Sequence, residues 1–79
     1  MNEIELFLKN SIQKNTGFLI EKSDDNILEK DISPLDLLYV IMDIEQEYSV
    51  SSKNLISNVS PDLFTIRQIA KIISEKYGN

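Results

Sequence analysis

Apolar residues recur at helical spacing in three stretches of the chain. In the first, Ile4, Leu8 and Ile12 repeat every four residues, with Phe7 beside Leu8 on the same side. This pattern predicts a helix from Asn2 or Glu3 to Lys14 or Asn15, ended by Asn15-Thr16-Gly17 with Gly17 as its C-terminal cap. The second stretch has the clearest start: Ser33 suits an N-cap, Pro34 suits the first helical position, and Asp36 puts a negative charge in the first turn. Leu37, Leu38, Ile41, Ile44 and Tyr48 form the stripe assigned to the core, and the helix is expected to run through Tyr48. Leu35, Tyr39 and Met42 fall on a different face, so this helix is apolar over more than half its circumference. Such a helix is either central and packed on two sides, or it offers one apolar face to a partner. The third stretch carries Ile66, Ile69, Ile73 and Tyr77 as its stripe, flanked by Ala70 and Ile72 and terminated by Gly78. It starts either at Ser60-Pro61, which repeats the device of Ser33-Pro34, or a few residues later with Thr65 as the cap.

Between the helices the period fades. Residues 18–32 show none, although Phe18, Leu19 and Ile20 form a short apolar run suited to anchoring a loop, and Ile27 and Leu28 suit its far end. A loop this long in a small domain needs such anchors, or it marks function. Ser23-Asp24-Asp25-Asn26 reads as a polar turn. Asp24 and Asn26 do not begin a calcium loop, because no glycine follows at the sharp-turn position and the closing glutamate is missing. Residues 51–59 hold a weak, short helical signal around Leu55 and Ile56. The expected architecture is all-α: a small four-helix bundle with a long loop between helices 1 and 2 and a short third helix, in a single domain over residues 1–79.

Composition narrows what such a bundle can do. With 79 residues and no cysteine, it must be held by its helix packing alone. The absence of histidine removes the usual metal ligand and general base, and no metal site is expected. Without His or Cys no common nucleophile–base pair can be built, and no motif brings a lysine to a serine. Glu45 and Glu47 are too close along one helix to face each other, and the two glycines form no phosphate loop. The chain is therefore not expected to be an enzyme.

The net charge is −5, and the pI is near 4.5. Such a surface repels phosphate backbones and attracts proteins with basic docking patches, or serves solubility alone. The start, Met1-Asn2-Glu3-Ile4-Glu5, is acidic and lacks the apolar run of a signal peptide. No stretch approaches the ~20 apolar residues of a membrane span. The expectation is a cytoplasmic monomer with a protein partner and neither nucleic acid nor membrane.

One longer pattern crosses the loop and the second helix. It reads Asp25-Asn26-Ile27-Leu28-Glu29-Lys30-Asp31-Ile32-Ser33-Pro34-Leu35-Asp36-Leu37-Leu38 and continues Tyr39-Val40-Ile41-Met42-Asp43-Ile44-Glu45-Gln46-Glu47-Tyr48. Without a gap, this resembles the acyl and peptidyl carrier proteins. There an apolar pair, a glycine, an apolar residue and Asp-Ser-Leu lead into a helix that ends in acidic residues and an aromatic. Phe64-Thr65-Ile66-Arg67-Gln68-Ile69 is similar to the start of that family's last helix, and the first helix matches more loosely. The resemblance covers nearly the whole chain.

It breaks at the chemical centre. The family's aspartate falls on Ser33, its glycine on Asp31, and its phosphopantetheine serine on Pro34, which has no hydroxyl. Only Ser33, one residue early, can substitute as an attachment point. The resemblance is therefore to the subset of carrier-like proteins without the attachment serine, found with peptide-maturation or specialised biosynthetic systems. It implies a protein-interaction module with no covalent cofactor. The other reading is a working acyl or aminoacyl carrier with a phosphopantetheine arm on Ser33. In the family the second helix is read by partner enzymes. Carried over, the expected partner-binding residues are Leu35, Asp36, Tyr39, Met42, Asp43, Glu45 and Gln46. Against this stand two plainer alternatives: Tyr39 and Met42 as half-buried packing residues, and an unrelated helical adaptor.

Overall fold

A computed structural model describes residues 3–76. Four α-helices follow one another: α1 (Glu3–Thr16), α2 (Pro34–Tyr48), α3 (Ser52–Ser57) and α4 (Ile66–Lys76). Short 3₁₀ turns lie at Ile27–Glu29 and Pro61–Leu63. Among the described residues there is no strand, and one isolated bridge pairs Asn26 with Thr65. α1 packs against both α2 and α4, and α3 packs against α2. The chain is thus a small helical bundle with a long first connection and a short third helix.

The helix ends form where local chemistry provides for them. α1 stops because Gly17 turns left-handed at φ +81° while its N–H still reaches the Gln13 carbonyl at 3.0 Å. A Cβ there would meet nothing within 4 Å, so glycine is needed for its backbone freedom and not for space. The Thr16 hydroxyl donates to the Ile12 carbonyl at 2.6 Å and accepts from the Phe18 N–H at 3.1 Å, directing the chain out of the helix. α2 begins with the Ser33 hydroxyl accepting from the Asp36 N–H at 3.2 Å and Pro34 at the first helical position. It ends on Ser49, a non-glycine residue at φ 57°. Ser51 caps α3 by accepting from the Asn54 N–H.

The choice between Ser60 and Thr65 for the last helix resolves in favour of Thr65, whose hydroxyl accepts from the Gln68 N–H at 3.1 Å. Ser60-Pro61 caps a separate 3₁₀ turn. The two are kept apart by residue 64. The Phe64 side chain is buried and its carbonyl accepts from the Ile27 N–H at 2.8 Å. A helix running straight through from residue 61 would commit that carbonyl to its own ladder.

The core is built from Leu8 and Ile12 of α1, Val40 and Ile44 of α2, Val50, Leu55 and Val59 around α3, and Ile66, Ile69, Ala70, Ile72 and Ile73 of α4. Phe7 meets Tyr48 edge to face at 5.4 Å, joining α1 to the end of α2. The expected stripe of α4 is buried as far as Ile73, and its flanking Ala70 and Ile72 are buried too. Tyr77 and Gly78 lie outside the described residues, as does Asn2 at the other end.

The loop of residues 17–33 is held at several points. Ile20 and Ile27 are fully buried, while Leu19 and Leu28, expected to share the anchoring, point into solvent. Asn26 donates to the Pro61 carbonyl, Ser23 accepts the Arg67 N–H through its carbonyl, and the Arg67 guanidinium pairs with Asp24 at 2.8 Å. These bonds fasten the loop to the Pro61 turn and to the start of α4.

One assignment in α2 needs correction. Leu38, placed in the core stripe, is 47% exposed, and Val40, placed in none, is 4% exposed. At about 100° per residue, Val40 and Ile44 lie on one side of the helix with Leu37 and Tyr48 beside them. Leu38 lies nearly opposite, with Leu35 and Met42. An apolar belt this wide admits several stripes, and packing against α1 and α3 selected the one centred on Ile44.

Candidate functional site

The geometry of α2 separates its expected site residues into two groups. The first stands outward. Leu35 is 57% exposed, Tyr39 46% and Met42 41%, and the exposed Gln46 continues the line one turn later. Leu38 joins them. Positions 35, 38, 39 and 42 are related as i, i+3, i+4 and i+7, so their side chains adjoin along about two turns of helix. Tyr39 and Met42 keep 46% and 41% of their surface in solvent, so half-buried packing describes them as well as an outward face does. Leu38 was legible from its spacing to Leu35 and Met42, but the same residue also fits beside Ile41 and Leu37, and no local signal distinguishes the two.

The second group is engaged within the chain. Asp43 turns toward α1, where its Oδ2 accepts from the Ser11 hydroxyl at 2.8 Å and from Asn15 Nδ2 at 2.8 Å. Lys14 Nζ approaches the same oxygen at 3.2 Å. Burial pushes the Asp43 carboxyl up, but the hydrogen bonds from Ser11, Asn15 and Lys14, with the Lys14 charge, together outweigh it. Its pKa is held below the ordinary value of 3.8. Ser11 is the buried polar residue of the core region, and this carboxylate is what its hydroxyl bonds to. Glu45 leans the other way, its Oε2 accepting from the Ser52 N–H at 3.0 Å at the start of α3. Asp36 is half-buried at the first turn of α2, and its N–H is the one that Ser33 caps.

At the tip of α2, Ser33 and Pro34 are both exposed. The Ser33 hydroxyl is an accepting cap, and Pro34 presents a ring where the resemblance places a hydroxyl. No cluster of metal-ligating side chains occurs among the described residues. An open depression of about 330 Å³ lies between α1 and α4, lined by Glu5, Arg67, Ala70, Lys71, Ser74 and Glu75. A smaller one of about 100 Å³ sits over the Asp43 cluster. Neither includes Leu35, Leu38, Tyr39 or Met42.

No helix of the described residues is long and apolar enough to cross a membrane. No protein-family model matches the chain, and neither does any curated protein or solved structure, so its function rests on its own residues.

Proposed function

We propose that this chain is an acyl-carrier-like scaffold without a prosthetic arm, acting as a protein-interaction module in a biosynthetic or peptide-maturation pathway. The observation that carries the reading is the outward face of α2, where Leu35, Leu38, Tyr39 and Met42 keep 41–57% of their surface in solvent while the opposite face fills the core. Large apolar side chains adjoining along one helix are characteristic of a surface that another protein covers. The order of elements, with a long first connection and a short third helix, is compatible with the resemblance described above. Without histidine or cysteine the chain is read as a non-enzyme, working with an enzyme or other protein that brings a basic and apolar docking patch. Nucleic acid and anionic membranes are disfavoured by the charge of −5. The reading is of a cytosolic monomer.

Pro34 is the chemical reason to leave out the arm, since a phosphodiester linkage needs a hydroxyl. A second reading places phosphopantetheine on Ser33, and the exposure of that residue favours it. Phosphate is also well accommodated at a helix N-terminus. Attachment would end the hydroxyl's role as a cap in its present form, at a cost of about 1 kcal/mol. It would also require a transferase to act immediately before a proline.

Intact-mass measurement after incubation with coenzyme A and a promiscuous phosphopantetheinyl transferase separates the two. The native chain is expected to keep its mass, while Pro34→Ser gains the arm. A mass gain on the native chain that Ser33→Ala abolishes would make this a true carrier with a displaced attachment site.

A further inference from the structure

The open depression between α1 and α4 is lined almost wholly by polar and charged side chains. Arg67, Ala70, Lys71 and Ser74 form one stripe of α4, spaced i, i+3, i+4 and i+7, with Glu75 beside it and Glu5 contributed by α1. Ala70, 2% exposed, is the single apolar member of this lining.

The charges surround the space without closing it. Lys71 makes no ion pair among the described residues, although Glu5 and Glu75 line the same depression. The Ser74 hydroxyl likewise has no hydrogen-bond partner among them. Arg67 is engaged on one side: its contacts to Asp24, at 2.8 and 2.9 Å, are both made by Nη1. A guanidinium carries further N–H donors on Nη2 and Nε, so its other edge can hold a second carboxylate. Glu5 is partly committed, its carboxylate accepting from the Ser23 hydroxyl.

The backbone polarises the depression in the same sense as its side chains. Arg67 stands in the first turn of α4 and Glu75 in the last. A helix dipole favours an anionic group near the first turn and a cationic group near the last. Simple ligands suit this lining poorly. An apolar one finds only Ala70, and a phosphate meets two carboxylates together with the two cations. A metal ion finds no cluster of ligating side chains among the described residues. A molecule carrying both charges meets each of them with its opposite.

We propose that the depression between α1 and α4 binds a small zwitterion of the amino-acid or dipeptide class. Its carboxylate lies on Arg67 and Lys71, its ammonium on Glu75, and Ser74 supplies a neutral hydrogen-bonding group between them. This site shares no residue with the outward face of α2 and does not depend on that face being an interface. At about 30 Å³ for each water-sized group, about 330 Å³ holds roughly ten non-hydrogen atoms, the size of glutamine or diglycine. So small a ligand in an open site is expected to bind at about millimolar concentration.

The test is titration of the full isotope-labelled chain with L-glutamine and with diglycine, followed through its amide NMR signals. Saturable shifts centred on Glu5 and on residues 67–75 are expected from at least one of the two. The tighter of them tells a free amino acid from a peptide. N-acetylglutamine, which lacks the ammonium, and glutamine amide, which lacks the carboxylate, should each bind about fivefold more weakly or worse. Lys71→Gln and Glu75→Gln, both at exposed positions, should weaken binding by a similar factor and leave the circular dichroism spectrum unchanged. Leu38→Gln, on α2, should leave binding as it is. No saturable shift from either probe up to about 50 mM, with the chain folded, would overturn the site. Undiminished binding of N-acetylglutamine would make it a site for anions and overturn the zwitterion. Binding that survives both Lys71→Gln and Glu75→Gln would place the ligand elsewhere.

Discussion

The two sides of α2 are made of nearly the same residues and do different work. The inner side presents Leu37, Val40, Ile41, Ile44 and Tyr48; the outer side presents Leu35, Leu38, Tyr39 and Met42. Ile44 is 1% exposed, whereas every member of the outer set is exposed. The inner side packs into the core against α1 and α3, while the outer residues keep 41–57% of their surface in solvent beside a rim of acids. Hydrophobicity is thus a poor guide to burial within this helix, and the contrast itself is what suggests a partner. Between the two sides lies Asp43, polar and half-buried, tying the flank of α2 to α1.

The comparison breaks most sharply at Ile44. Ile44→Ala removes a fully enclosed side chain and is expected to cost about 2–5 kcal/mol, from lost transfer energy and the cavity left behind. A domain of this size has about 3–5 kcal/mol in all, so urea denaturation should find this variant largely unfolded. A stably folded Ile44→Ala would mean that the inner side is not the core.

The Asp43 flank comes next. Asp43→Ala strands the buried Ser11 hydroxyl and removes a charged acceptor, at about 1–3 kcal/mol by urea titration. Because the folded pKa of Asp43 is lowered, its contribution is present above the unfolded value of 3.8 and is lost as pH falls through the folded value. Native stability should therefore decline on acidification below that value, and Asp43→Asn should flatten the decline. An unchanged acid profile in Asp43→Asn would show that the cluster contributes nothing through its charge.

The tips of the helix sharpen the comparison further. Ser33→Ala should cost about 1 kcal/mol through the lost cap. Ser49→Gly should gain up to about 1 kcal/mol, since glycine holds φ 57° without the side-chain penalty. Thermal melts of the two variants should move in opposite directions; a destabilised Ser49→Gly would show that the serine side chain earns its place by some other contact.

The outer side gives the smallest effect on folding. Leu38→Gln and Met42→Gln keep helix propensity and remove exposed apolar surface, so each should change stability by less than about 1 kcal/mol. A loss comparable to that of Ile44→Ala would return these residues to the core and remove the case for an interface.

Much of the helical layout was legible because it depends on neighbours a few residues away. Ser33-Pro34 starts α2, Gly17 stops α1 and the isoleucines of α4 repeat at one spacing, and each of these is settled by backbone groups within about a turn. The candidate face was legible only in part. Leu35, Tyr39 and Met42 were separated from the core stripe by period alone, but Leu38 sits at the edge of a wide apolar belt and its side was decided by what α2 packs against. Asp43 and Glu45 were expected among the partner-binding residues; their bonds to Ser11, Asn15 and Ser52 come from residues that only folding brings near.

By itself the sequence determined where helices can begin and end, which stripe of α4 is apolar, and that residue 34 has no hydroxyl to modify. The tertiary structure decided which half of α2 is the inside, that Thr65 and not Ser60 opens α4, and which carboxylates are already engaged. The division follows range: capping and periodicity act within one or two turns of the chain, whereas burial and long-range hydrogen bonds exist only once separate elements have come together.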